Sequence, residues 1–201
     1  MPRNPTALPA RLWVVPHAAR TRGEPTVRPL LSQALACDPS AVPLVRDAGG
    51  RPRLGAPFAH LDLGWSHSGE LLVLALGMAE PVELGVDVER LRERPRLVEM
   101  ARRFFHPDEA SWLIAQPAAA TVECFSRLWC AKEAVLKAHG RGIAFGLHRL
   151  VFAPIDGALH MTACDPGLGQ ARDWSLHEWT PQAGYRAALA WRAVPVAAGR
   201  Y

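Results

Sequence analysis

Lysine is almost missing from this 201-residue sequence: of its 23 basic residues 21 are Arg, and the two lysines, Lys132 and Lys137, lie five positions apart. That segment prefers a compact ammonium with three rotatable donors, which suits a phosphate on a flexible ligand. Cysteine is scarce as well. Cys37, Cys124, Cys130 and Cys164 form no CxxC pair and have no histidine at zinc spacing, which excludes a zinc framework and a disulfide scaffold and leaves free, mostly buried thiols. Long apolar runs are absent too. The longest, Leu71 to Ala79, is ended by Glu80 and falls far short of the roughly 20 residues of a membrane helix. Leu12 to Val15, between Arg11 and Pro16, is too short for the apolar core of a secretory signal, so the expected location is the cytoplasm. No basic tail and no Lys/Arg block with interleaved aromatics marks a nucleic-acid binder. A net charge of +4 and a pI near 9.2 instead suit an anionic ligand or an acidic protein partner.

What is present is an ordinary globular composition, 49% hydrophobic and 21% charged, able to bury a core. A strand over Leu12 to Val15 and a helix from about Val27 to Ala36 lead to a turn at Gly49-Gly50. Leu61 to Trp65 then reaches the buried strand Leu71 to Leu76 through a turn at Ser66-His67-Ser68-Gly69, and Val82 to Glu89 alternates as a further strand after a break over 77–81. Arg90, Arg92, Arg94 and Arg96 are expected in solvent before a helix with Leu97, Met100, Ala101, Phe104 and Phe105 on its apolar face. Pro107 opens another helix with Asp108 and Glu109 in its first turn. The longest helix runs from a cap near Thr121 to His139 and stops at Gly140. Four short strands follow, two of them joined at the hairpin signal Asp156-Gly157. No sequence repeat and no long linker is visible. The order of elements predicts an α+β fold of small, mainly antiparallel sheets carrying helices.

Two segments carry the chemistry. In Gly85-Val86-Asp87-Val88-Glu89, strand alternation turns Val86 and Val88 to the core and aims Asp87 and Glu89 together the other way. Two carboxylates roughly 6 to 7 Å apart repel by about 2 to 3 kcal/mol at an effective dielectric near 20, and a bound cation would relieve this. The alternative is an exposed edge strand with solvated acids. In Trp129 to Lys137, Trp129, Glu133 and Lys137 recur every fourth residue along one helical stripe, as either a surface ion pair or a partly covered site. A third carboxylate and a cation on one face would complete an oxygen-ligand magnesium site able to grip a diphosphate. Gly64-Trp65-Ser66-His67-Ser68 offers a competing reading as a hydrolase nucleophile elbow, but it lacks the final Gly and is followed by an apolar strand where that motif needs a helix.

On these residues the chain resembles the surfactin-synthetase-activating type of 4′-phosphopantetheinyl transferase, whose hallmarks are a Gly-[Val/Ile]-Asp-x-Glu strand and a Trp-x-x-Lys-Glu-[Ala/Ser]-x-x-Lys helix. Gly50-Arg51-Pro52, Ser66-His67-Ser68, the Arg102 to Glu109 segment, Gly140 and Gly142 fall in the family's order, over about Arg28 to Phe152. The resemblance implies a pseudo-twofold pair of similar α/β subdomains, here 1–82 on the nucleotide side and 83–201 with the magnesium and catalytic motifs, and coenzyme A in the cleft between them. It implies Asp87, Glu89 and Glu133 as Mg²⁺ ligands, with Glu89 reaching the metal directly or through water. Asp87, Glu133 and Lys137 would be catalytic, with Glu133 as general base, directly or through a metal-held water. Coenzyme A would be bound by Arg28, Arg51, Pro52, Ser66, His67, Asp87, Lys132 and Lys137, with His67 near the 3′-phosphate and Arg51 and Pro52 bordering adenine. Arg28 matches best among the basic residues expected at that phosphate, with Arg20 and Arg22 as further possibilities. The implied reaction moves the 4′-phosphopantetheinyl group from coenzyme A to a serine of an apo acyl, peptidyl or polyketide carrier protein and releases 3′,5′-ADP. A monomer is implied, and Arg90 to Arg103 is the expected docking rim for an acidic carrier. Arg51 where the family has Lys, and Gly64 where it often has Asn, are departures.

Overall fold

The computed structural model describes residues 8–78 and 81–194. Five strands fill the first part of the chain, β1 (Ala10–Pro16), β2 (Leu44–Arg46), β3 (Pro52–Leu54), β4 (Leu63–Ser68) and β5 (Leu71–Gly77), with helix α1 (Glu24–Leu35) after β1. The second part repeats that plan with β6 (Val82–Arg90), helices α2 (Leu97–Phe104), α3 (Pro107–Ile114) and α4 (Ala118–His139), and strands β7 (Leu150–Ile155), β8 (Ala158–Cys164), β9 (Ser175–Trp179) and β10 (Tyr185–Ala193).

The pairing bears out the pseudo-twofold pair of α/β units that the resemblance implies, although no sequence repeat is visible. One antiparallel sheet has the order β1-β5-β4, the other β6-β10-β9, and each part adds a two-stranded hairpin, β2-β3 or β7-β8. In both, the first strand pairs with the last and the last with the one before it. This is an α+β fold in two topologically equivalent α/β units.

Alternation within the central strands builds the layers. Leu72, Leu74 and Leu76 of β5 pack on Val27 and Leu31, one turn apart on α1. Leu71, Val73 and Ala75 face the other way, into a second core shared with Val82, Leu84, Val86 and Val88 of β6 and with Ala187, Leu189 and Trp191 of β10. Ala188 and Ala190 of β10 then pack under α4 in a third core. The order is therefore helix, sheet, sheet, helix. β5 is buried along its whole length because both of its faces are covered.

The alternating residues of β6 that do not enter the shared core turn to α4. A Cβ on Gly85 would stand 2.2 Å from the Ala134 carbonyl oxygen and 2.4 Å from the Ala138 nitrogen, so only glycine lets the helix lie this close to the strand. α4 ends where expected, at Gly140 with φ 79°, but begins three residues before Thr121, behind an extended Pro117 to whose carbonyl the Thr121 hydroxyl donates. Asp156 and Gly157, both with positive φ, turn the β7-β8 hairpin. The turn expected at Ser66-His67-Ser68 is instead strand: these residues complete β4 and pair with Val73, Leu72 and Leu71, and the reversal falls on Gly69 and Glu70. Part of the break expected over 77–81 lies outside the described residues.

Candidate active site

β4 and β6 come from different units yet run side by side in the same direction, with an offset of 21 or 22 residues. The Leu84 N–H donates to Asp62 Oδ2 (2.8 Å), the Ser66 hydroxyl to Asp87 Oδ1 (2.7 Å), and the Ser68 hydroxyl to Glu89 Oε2 (3.3 Å). Asp62 also anchors two arginines, Arg51 Nη2 at 2.5 Å and Arg53 Nη1 at 3.0 Å, and Arg51 donates to the Leu84 carbonyl at 2.6 Å. Arg51 is thus almost wholly buried and fastens the β2-β3 hairpin to β6. Its Nη1 has no partner among the described residues.

From the other side α4 brings Glu133 and Lys137. Lys137, its side chain a third exposed, donates from its ammonium to Asp87 Oδ1 at 2.5 Å and to Ser66 Oγ at 2.9 Å. Burial works against its charge, and Asp87 more than offsets this, holding it above the ordinary lysine range. Ser66, Asp87 and Lys137 therefore meet at one point, supplied by β4, β6 and α4. The Ser66 hydroxyl is committed to Asp87 and Lys137, and the nucleophile-elbow reading fails because no histidine serves it and a strand follows.

Among the described residues no three His, Cys, Asp or Glu side chains stand close enough together to hold a metal ion. Lys137 holds Asp87 and Arg94 holds Glu89, the latter at 2.8 Å. The donor set nonetheless fits a hard cation. Asp87 Oδ2 and Glu133 Oε1 are buried and without partners among the described residues, an arrangement that is costly for carboxylate oxygens unless something positive meets them. Burial pushes the Glu133 carboxyl up to about 7, with Lys137 lowering it and Asp87 and Glu89 raising it further. Glu89 is raised by burial and by Asp87. Buried carboxylate oxygens without partners are hard donors of the kind Mg²⁺ prefers. Cys130, buried beneath Asp87 and Glu89, is pushed far up by burial and is an inert thiol.

Beside Lys137 opens a cleft of about 290 Å³ lined by Arg46, Gly49 to Pro52, Leu63 to Trp65, Leu84 to Val86, Leu136, Lys137, Gly140 and Gly142. Arg46 and Trp65 also line a neighbouring recess of about 400 Å³ with Arg22, Gly23, Glu24 and His67. Arg46 and Trp65 border both, so the cleft beside Lys137 continues into a recess with Arg22 and His67. Arg51, Pro52 and Lys137 border the first chamber and His67 the second; Ser66 reaches Lys137 from the seam.

Two expected ligands do not line the groove. Arg28 donates to the Pro39 and Val42 carbonyls and to Glu24 (2.8 Å), which does line the recess, and so holds α1 to the segment after it; Arg22 and Arg46 line the recess directly. Lys132 points into the core of the second unit. Its ammonium, with no exposed surface, meets Glu109 at 2.6 Å and the carbonyls of Leu147 (2.8 Å) and Leu150, while Glu109 also accepts from the Phe152 and His106 N–H groups. Burial brings Lys132 down to about 8, with Glu109 opposing. A third correction concerns Arg94, expected in solvent: it lies against Glu89 with its guanidinium 5.8 Å and 5.9 Å from the Phe125 and Trp129 ring centres. Arg46 escaped the sequence reading because it follows a plain loop pattern, and only the β2-β3 hairpin carries it to the groove.

Fold and site define a duplicated α+β chain whose seam gathers three acids and a lysine beside a groove with a basic end. The chain belongs to the 4′-phosphopantetheinyl transferase superfamily, whose family model matches residues 83–190, and it is an enzyme of that class. It is 34% identical over 184 residues to the 4′-phosphopantetheinyl transferase HetI of a Nostoc species, a match spanning 90% of this chain and 73% of that protein. With the 4′-phosphopantetheinyl transferase Sfp of Bacillus subtilis it shares 31% identity over 126 residues, 62% of this chain and 53% of Sfp. Among solved structures, the holo-[acyl-carrier-protein] synthase of Thermotoga maritima overlaps 55% of this chain and 62% of its own at a TM-score of 0.44 and 17% identity.

Proposed function

We propose that this enzyme moves the 4′-phosphopantetheinyl group from coenzyme A to a serine of an apo carrier protein, with Mg²⁺ held by Asp87, Glu89 and Glu133. The observation that carries this reading is the meeting of Asp87, Glu133 and Lys137 at the seam, with two buried carboxylate oxygens left unpaired. Coenzyme A would lie along the groove, its diphosphate by Lys137 and its 3′-phosphate in the recess of Arg22, Arg46 and His67. Mg²⁺, when bound, supplies charge stabilisation to the diphosphate.

The residues divide the remaining work. Lys137 holds a non-bridging phosphate oxygen and offsets the charge that builds during transfer. Ser66 and Asp87 fix the ammonium's position. The carrier serine oxygen bonds to the β-phosphorus, the bond from that phosphorus to the bridging oxygen breaks, and 3′,5′-ADP leaves with the electron pair. Glu133, raised to about 7 by burial, takes the serine proton. Arg90, Arg92 and Arg96, exposed beside a surface groove at Arg94 to Glu99, face the acidic carrier. One chain supplies both sides of the seam, so it acts as a monomer, in the cytoplasm.

Incubation with an apo carrier, coenzyme A and Mg²⁺ should add phosphopantetheine to the carrier by intact mass, and EDTA should stop it. Asp87→Ala and Glu133→Ala should each lower the rate by about a hundredfold or more. Undiminished transfer in EDTA would remove the metal, and no transfer by the unaltered protein would remove the function.

A further inference from the structure

Behind His67 stands a second histidine that no motif singles out. His17 follows β1, is 5% exposed, and its ring centre lies 4.7 Å from that of His67 at an interplanar angle of 36°. Both of its nitrogens are engaged. Nδ1 is 3.0 Å from the Thr26 hydroxyl in the first turn of α1, and Nε2 is 3.3 Å from both the carbonyl and the hydroxyl oxygen of Thr21. A neutral ring satisfies this set, with Nε2–H donating to the Thr21 carbonyl and Nδ1 accepting from Thr26. The ring is therefore locked in tilt and depth beside the tilted ring of His67, which by contrast is exposed and whose side chain has no hydrogen bond among the described residues.

The same histidine holds the loop that carries Arg22. Thr21 lies one residue before Arg22, and a Cβ on the next residue, Gly23, would fall 2.6 Å from the Trp65 indole nitrogen, so the loop is laid flat against Trp65. Arg46 stacks over the other reach of that indole, 5.8 Å from its centre, and keeps Glu24 at 3.5 Å. The basic recess is thus assembled around Trp65 and His17, and Glu24 is its one acid.

We infer that His17 is a positioning residue for His67 and Arg22, fixing both toward a phosphomonoester in the recess and so setting the preference for a nucleotide bearing one. This rests on the reading of the recess given above. His17 itself touches no ligand.

The test is the ratio of affinities for 3′,5′-ADP and 5′-AMP, measured by calorimetry without metal on the whole chain and on His17→Ala, His67→Ala and the double variant. His17→Ala should cut the preference for 3′,5′-ADP by about tenfold, the scale of one charge-assisted hydrogen bond, while leaving 5′-AMP within about twofold. In the His67→Ala background the same change should have a much smaller effect, because His17 then has less to position. Should His17→Ala not fold, Thr26→Val frees the ring at Nδ1 alone and should shift the ratio in the same direction. A ratio unchanged by these substitutions, or losses by His17→Ala and His67→Ala that simply add, overturns the inference. A natural chain with no preference for 3′,5′-ADP overturns the reading of the recess instead.

Discussion

At the residue scale the two lysines, so close in sequence, have opposite duties. Lys137 reaches the seam; Lys132, about 100° round the helix, is sealed in the core against Glu109. Lys132→Met strands the Glu109 carboxylate and should cost about 3 to 5 kcal/mol in urea unfolding, with the affinity of the folded protein for coenzyme A unchanged. A fall in that affinity without a loss of stability would return Lys132 to the ligand site. The sequence shows where such residues lie, because helical spacing fixes their angles. It does not show that Glu109, which reads as an ordinary first-turn acid, is 2% exposed and is the partner that turns Lys132 inward. Arg28 escapes for the same reason: its partners, the Pro39 and Val42 carbonyls, are set by loop geometry.

At the scale of elements the decisive contact is β6 against α4. Strand alternation made Asp87 and Glu89 legible as a pair, and the four-residue stripe did the same for Glu133 and Lys137. Their approach depends on Gly85. Gly85→Ala drives a methyl into helix backbone that cannot rotate away, so it should cost roughly 1 to 3 kcal/mol or more and move Lys137 off Asp87, seen as lost stability together with lost transfer. Gly64→Ala is the control for stability, since its Cβ would meet nothing nearer than 3.8 Å, and it should unfold nearly as the unaltered chain does. Equal effects of the two would mean that the helix is not held by that contact. The misplaced turn at Ser66 to Ser68 is an error of the same scale: three small polar residues and a glycine imitate a loop, while pairing with the buried β5 makes them strand.

Across the whole molecule most strands and helices were readable, the β2-β3 hairpin being read as loop, while the pairing of two like units was reached only through the family resemblance, because they share topology without sharing visible sequence. One polar link between them, beside the shared apolar core, is Asp62, which accepts from the Leu84 backbone and from Arg51 and Arg53. Asp62→Ala leaves the buried Arg51 and the Leu84 N–H without that partner. Amide exchange should rise along β4 and β6 ahead of the rest of the protein, and unchanged protection there would show that apolar packing alone holds the seam. The parallel run of β4 beside β6 has a consequence for the site. Ser66 comes from one unit and Asp87, Glu133 and Lys137 from the other, so neither unit holds the set by itself, and whatever loosens the seam loosens the site with it.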